Sequence, residues 1–131
     1  MIEVKNIYKS FNKTQVLNKI DTIFYRGKTN LIIGQSGSGK TVLLKCLLGL
    51  YEVDLGEILY DGISSKNMGI NEKLEISRQM GMVFQGSALF DSMNVLENVK
   101  FPLDMLTEID ENEKNERALK FIERVNLKDA I

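Results

Sequence analysis

Apolar positions crowd the first quarter of the chain and then gather into short blocks set off by turn residues. Residues 2–11 and 15–25 are rich in Ile, Val, Phe and Tyr, and Asn12-Lys13-Thr14 interrupts them. That pattern predicts two strands of an antiparallel ribbon. Lys28 to Ile33 ends in a β-rich apolar run that reads as a buried strand. Val42-Leu43-Leu44-Lys45-Cys46-Leu47-Leu48 reads as a helix, apolar nearly all round and stopped near Gly49. Gly56 to Tyr60 forms a short strand, and Asp61-Gly62 is a strong turn signal. Asn71 to Arg78 reads as a short polar helix, and Gly81 to Phe84 as an apolar strand ending at Gln85. Asn94-x-x-Glu97 and Asp110-x-x-Glu113 offer side-chain acceptors to the orphan N–H groups of a helix start, so helices begin near Val95 and after Asp110. Pro102 is expected to break or bend the first of these, whereas Ala118, Phe121, Ile122 and Val125 share one face of the second. The sequence of elements predicts an α/β fold, with N-terminal antiparallel strands and a mostly parallel core sheet covered by helices.

Composition narrows the class. With 131 residues, 44% apolar and 27% charged, the chain has the make-up of a globular domain able to bury a core. No apolar run reaches the roughly 18–20 residues that span a bilayer, and the first residues carry no signal-peptide pattern, so a cytoplasmic location is expected. The single cysteine, Cys46, excludes an internal disulfide, and the absence of His excludes His-based catalysis or ligation within these residues. The net charge of −1 is unevenly spread. Residues 1–50 carry +6 and residues 51–131 carry −7, a bias that either suits a polyanion in the first part or is solvated surface charge with no purpose.

The most specific chemistry lies between the predicted strand and the apolar helix. Gly34-Gln35-Ser36-Gly37-Ser38-Gly39-Lys40-Thr41 matches G-x-x-x-x-G-K-[ST] in full. Glycines let successive N–H groups turn into one concavity that receives phosphate oxygens, and the following helix adds its positive end. Lys40 supplies a point charge for the β- and γ-phosphates, and the Thr41 hydroxyl is a ligand for Mg²⁺.

In order, the chain shows a strand ending Lys9-Ser10-Phe11, then Val16-Leu17, then the phosphate loop. Gly56-Glu57-Ile58 with Asp61-Gly62 follows, and then Val83-Phe84-Gln85. This series resembles the N-terminal half of the ATP-binding subunit of an ABC transporter, over essentially the whole chain. The resemblance implies a P-loop NTPase-type fold, with residues 1–131 forming the N-terminal part of one ATP-binding domain. It implies that Phe11 stacks on adenine, where most members have Tyr, and that Val16 packs against the base or ribose. Phe11 as a plain strand-end core residue is the bland alternative. Gln85 matches the glutamine that reaches Mg²⁺ and the attacking water. Members work as homodimers docked on an integral membrane permease, on the cytoplasmic face of the inner membrane; no nucleic-acid partner is expected.

A finer resemblance lies in Phe84 to Met93, in Val95-x-Glu97-Asn98-Val99 and in Phe101-Pro102-Leu103, together with Val42-Leu43-Leu44-Lys45. It is similar to the ATPase of Mla-type phospholipid-transport systems. Residues near 86–94 would then face the permease. Leu89, Phe90 and Met93 suit a groove for a partner helix, or else pack beneath their own loop.

Residues 1–131 contain no LSGGQ segment, no strand ending in Asp-Glu and no switch histidine. The expectation is a piece of a protein roughly twice as long, with apolar strand faces left unpartnered and stability marginal. It is expected to bind nucleotide without efficient hydrolysis, because groups that stabilise phosphoryl transfer are missing. Two other readings stand beside the transporter ATPase: a stand-alone nucleotide-binding module and a small-molecule P-loop kinase. Phe11 and Gln85 disfavour the kinase.

Overall fold

The computed structural model describes every residue except Gln85, Ser87 and Ile131. The chain divides into two units, Met1–Gly81 and Met82–Ile131. In the first, strands β1 (Ile2–Phe11), β2 (Thr14–Phe24), β3 (Leu55–Tyr60) and β4 (Ile63–Ser64) form a sheet in the order β2-β1-β3-β4. The predicted ribbon is present, closed by Asn12 and Lys13 with φ of 48° and 68°. Two positive φ values are what a tight two-residue hairpin needs to match strand twist. Asp61 and Gly62, at 47° and 85°, turn β3 into β4 in the same way.

Strict alternation fails in β1, where Val4 and Ile7 are both buried. The cause is a bulge. Register slips between Val4 and Ile7 against β2, and between Lys5 and Tyr8 against β3. Asn6 takes φ of 49° there, and its N–H donates to the Asp21 carboxylate at 2.9 Å. Gly56 faces this bulge with φ of 81°; a Cβ on it would sit 2.1 Å from the Asn6 carbonyl oxygen. Only glycine tolerates that approach.

Helix α1 (Lys40–Leu47) lays Leu43, Cys46 and Leu47 onto Val4, Ile7, Leu17 and Ile58. The spacing i, i+3, i+4 selects one face, so Leu44 stays exposed although the segment is apolar nearly all round. Each leucine so buried contributes about 1.5–3 kcal/mol. Gly49, at φ of 72°, donates to the Cys46 carbonyl at 3.0 Å, and Leu50 N–H to that of Lys45 at 2.9 Å. This left-handed stop ends α1 where expected. Helix α2 (Ile70–Arg78) follows β4, as the polar stretch predicted.

Two expectations fail. All strand pairings among the described residues are antiparallel, so the mostly parallel core sheet is not formed by them. Residues 28–33 and 81–84 carry no strand, and Ile33 and Val83 are 83% and 98% exposed. A strand exists through a hydrogen-bonded neighbour, and no described strand pairs with either segment.

In the second unit, α3 (Val95–Leu106) and α4 (Glu111–Arg124) are joined by ion pairs Lys100–Glu111 and Lys114–Asp104. Both caps form: Asn94 accepts from Glu97 N–H at 2.9 Å, and Asp110 from Asn112 and Glu113 N–H at 2.9 and 3.0 Å. Pro102 does not break α3. The cost is one bond to the Asn98 carbonyl, and the last turn is held by Thr107, whose hydroxyl donates to Leu103 at 2.7 Å. On α4, Ala118 and Ile122 are buried as predicted. Phe121 and Val125 are exposed instead, lining an apolar hollow with Val95, Val99 and Leu127.

Candidate nucleotide-binding site

The phosphate loop, Gly34 to Thr41, enters α1 through Gly39, its N-cap, at φ of 91°. Its glycines answer different demands. Gly37 has φ of 78° and nothing within 4 Å of where a Cβ would be, so its need is conformational. A Cβ on Gly34 would meet Ser38 Oγ at 2.7 Å, so the loop closes on itself there. Gly39 is held by both: beyond its φ, a Cβ would come within 3.0–3.1 Å of the Val16 carbonyl, Val16 Cγ1 and Leu17 Cδ2. That contact brings Val16 to the loop.

Within the loop, Ser38 N–H donates to the Gln35 carbonyl at 3.2 Å. The Lys40 ammonium reaches back to the carbonyls of Gly34 at 2.8 Å and Gln35 at 2.6 Å. An ammonium has three donors, so one remains for a phosphate oxygen while two brace the loop. The first bond into the helix is Leu43 N–H to Gly39 at 2.8 Å. The N–H groups of Lys40, Thr41 and Val42 precede it, with no acceptor inside the helix. Those N–H groups and the helix dipole make an anion site. Ser36 and the Thr41 side chain lie on its exposed rim.

Phe11 ends β1 with 37% of its surface exposed. Its ring meets Tyr51 edge-on, centroids 5.2 Å apart at 66°, and the Lys9 ammonium lies 5.3 Å from its centroid. Asp54 accepts from Lys9 Nζ at 2.8 Å and from Ser10 N–H at 2.7 Å. The lysine ammonium first, and the Ser10 N–H second, hold the Asp54 carboxyl below its ordinary range. On the buried face of α1, burial pushes the Cys46 thiol above its ordinary value. Neither Tyr51 nor Asp54 was singled out by the sequence; an aromatic after a helix-stop glycine was the available signal.

Gln85 lies outside the described residues. Further along, Leu89 is 69% exposed, and the Phe90 ring packs on Phe101 at 4.7 Å. Asn98, to which the sequence assigned no role, organises this loop. Its carbonyl accepts from Phe90 N–H at 2.8 Å, and its amide donates to the carbonyls of Phe90, Met93 and Asn94 at 3.1, 2.9 and 3.0 Å. Leu89 therefore faces solvent while Phe90 is shared between surface and packing. Among the described residues, no cluster of His, Cys, Asp and Glu forms a metal cage.

Comparison with known proteins shows the family. Residues 17–131 match the ABC transporter family. The chain is 45% identical over 101 residues to the glutamine transport ATP-binding protein GlnQ of Escherichia coli, covering 77% of this chain and 42% of that protein. It is 35% identical over 130 residues to the intermembrane phospholipid transport system ATP-binding protein MlaF of Haemophilus influenzae, covering 99% and 49%. The fold matches the dimeric ATP-binding cassette MJ0796, bound to ADP and Pi, with a TM-score of 0.82 at 28% identity, over 96% of this chain and 57% of that one. The chain thus spans about half the length of the relatives it matches, or less.

Proposed function

This chain belongs to the ABC transporter family as an ATP-binding domain, and on that premise we propose that it binds Mg²⁺–ATP through residues 34–41. The protein would use ATP hydrolysis to drive a membrane transporter. The phosphate loop carries the proposal, because its bent backbone, braced lysine and helix entry together recognise a polyphosphate and little else. Lys40 would neutralise the β- and γ-phosphates, Thr41 would hold Mg²⁺ by its hydroxyl, and Phe11 and Val16 would take the base. One hydroxyl plus phosphate oxygens and waters suits Mg²⁺, which seldom uses an all-protein cage. The bound cation would offset charge developing on the transferred phosphoryl group. Gln85 is proposed to orient the attacking water.

Titration calorimetry with Mg²⁺–ATP tests the site. Lys40→Ala is expected to weaken binding at least tenfold, as loss of a charge-assisted contact does. Unchanged affinity overturns the assignment. Phosphate release from residues 1–131 tests the second expectation, binding without rapid turnover; release at ordinary enzyme rates, roughly 1–10³ per second, overturns it.

Partners follow the same premise: a second copy, and a permease met by the surface around residues 86–94 at the inner face of the cytoplasmic membrane. Among the described residues no helix is long and apolar enough to cross a membrane. The exposed Leu89 supports the permease surface. For the cargo we favour phospholipid, on the Phe84 to Leu103 resemblance and the 35% identity to MlaF. The glutamine relative, at 45%, sets the competing class. In proteoliposomes holding this ATPase and its permease, hydrolysis stimulated by phospholipid is expected; stimulation by an amino acid alone refutes it.

A further inference from the structure

The contacts around Phe11 form a connected brace. It runs from the phosphate-loop helix to the end of β1. Lys45 on α1 places its ammonium 5.2 Å from the centroid of the Tyr51 ring. The Lys45 carbonyl accepts from Leu50 and Tyr51 N–H at 2.9 and 3.3 Å, so the chain turns back at once after the helix. Tyr51 then presents its ring to Phe11. Three residues on, Asp54 grips the backbone just ahead of Phe11. Its N–H donates to the Tyr8 carbonyl at 2.8 Å, and its carboxylate takes the Lys9 ammonium and the Ser10 N–H. Tyr8 is thus held by the Asp54 backbone, and Lys9 and Ser10 by its side chain. Lys9, so held, lies against the Phe11 ring.

We propose that Tyr51 and Asp54 are positioning residues that fix the Phe11 ring relative to the phosphate loop, so that base and phosphates are bound in one preset geometry. This rests on Phe11 being the base-stacking residue. A ring more than a third exposed and otherwise free to turn would lose rotamer freedom on stacking. Tyr51 and the Asp54 clamp remove that freedom beforehand. Neither touches a phosphate site, so their influence should be confined to ligands that carry a base.

The test compares two ligands, Mg²⁺–ATP and inorganic tripolyphosphate with Mg²⁺, by calorimetry on the purified protein. Four variants are used: Phe11→Ala, Tyr51→Leu, Tyr51→Phe and Asp54→Asn. Phe11→Ala is expected to weaken ATP about 10–100-fold, the worth of one base stacked on an aromatic ring, and to leave tripolyphosphate unchanged. Tyr51→Leu and Asp54→Asn should each weaken ATP by roughly 3–10-fold with tripolyphosphate again unchanged, and Tyr51→Phe should restore wild-type binding. If Phe11→Ala acts selectively while Tyr51→Leu and Asp54→Asn do nothing, the positioning role is refuted and the stacking role stands. Equal weakening of both ligands by Tyr51→Leu or Asp54→Asn means a general structural role and also refutes it. If Phe11→Ala spares the ATP-to-tripolyphosphate ratio, base stacking itself fails. Asp54 is a partly exposed carboxylate, so Asp54→Asn still reads the outcome should Tyr51→Leu not fold.

Discussion

Gly56 and Gly62 lie on the same hairpin, with φ of 81° and 85°, and they differ in one respect. Gly62 has open space where a Cβ would go, whereas at Gly56 that Cβ would meet Asn6 O at 2.1 Å, Asn6 C at 2.4 Å and Lys5 O at 2.5 Å. Ordinary contact begins near 3.4 Å, so something must move by more than an ångström. The atoms in the way are backbone and cannot rotate aside. Alanine at either site carries the left-handed penalty of about 1–2 kcal/mol, less a few tenths to 1 kcal/mol gained by stiffening the unfolded chain. Gly56→Ala adds overpacking of about 1–3 kcal/mol and the loosening of the β1–β3 ladder. Gly62→Ala should therefore cost about 1 kcal/mol and Gly56→Ala about 2–4 kcal/mol, a large share of a typical stability of about 5–15 kcal/mol. Urea unfolding with a common m-value measures both. Midpoints that place the two variants within about 0.5 kcal/mol of each other would show that the bulge yields freely, and the steric account of Gly56 would be wrong.

Asn98→Ala should free Phe90 N–H and three carbonyls at once, lowering stability by about 1–3 kcal/mol and speeding amide exchange at residues 90–94; exchange equal to wild type refutes the anchoring role. Cys46 should react with a maleimide near pH 7.5 far more slowly in the native protein than in urea, because burial keeps the thiol protonated and covered. Equal rates in the two states contradict that placement. Asp54 has its carboxyl pKa lowered by folding from an ordinary 3.8, so its contribution is present above about pH 4 and is lost as pH falls through the lower folded value. Asp54→Asn should flatten that part of the acid limb of a stability–pH curve, and a limb of unchanged shape counts against the Lys9 and Ser10 contacts.

Local chemistry was legible in the sequence and partnership was not. Asn94, Asp110 and the Asp61-Gly62 pair act within a few residues, and each formed as read. The phosphate loop was equally plain, since its glycines, lysine and helix start are contiguous. Ile33 and Val83 have the composition of buried strands, yet a strand needs a neighbour, and composition does not name one. The β1 bulge hid the burial of Ile7 from a period of two. Phe121 and Val125 fit the apolar side of α4 by spacing, but packing took only Ala118 and Ile122. Asp54 and Asn98 escaped notice because each works through backbone atoms of other residues, and Tyr51 because its ring meets that of Phe11, far away in the sequence. No spacing rule marks such a role.

Helix α1 is eight residues long, begins at the last glycine of the phosphate loop, and ends in the turn that sends Tyr51 to Phe11. It is thus a ruler of about 12 Å. A residue inserted in its exposed face would touch neither end, yet would lengthen the gauge by about 1.5 Å and swing its far end by about 100°. If Phe11 takes the base as proposed, the distance from triphosphate to base would be set by a count of helical residues.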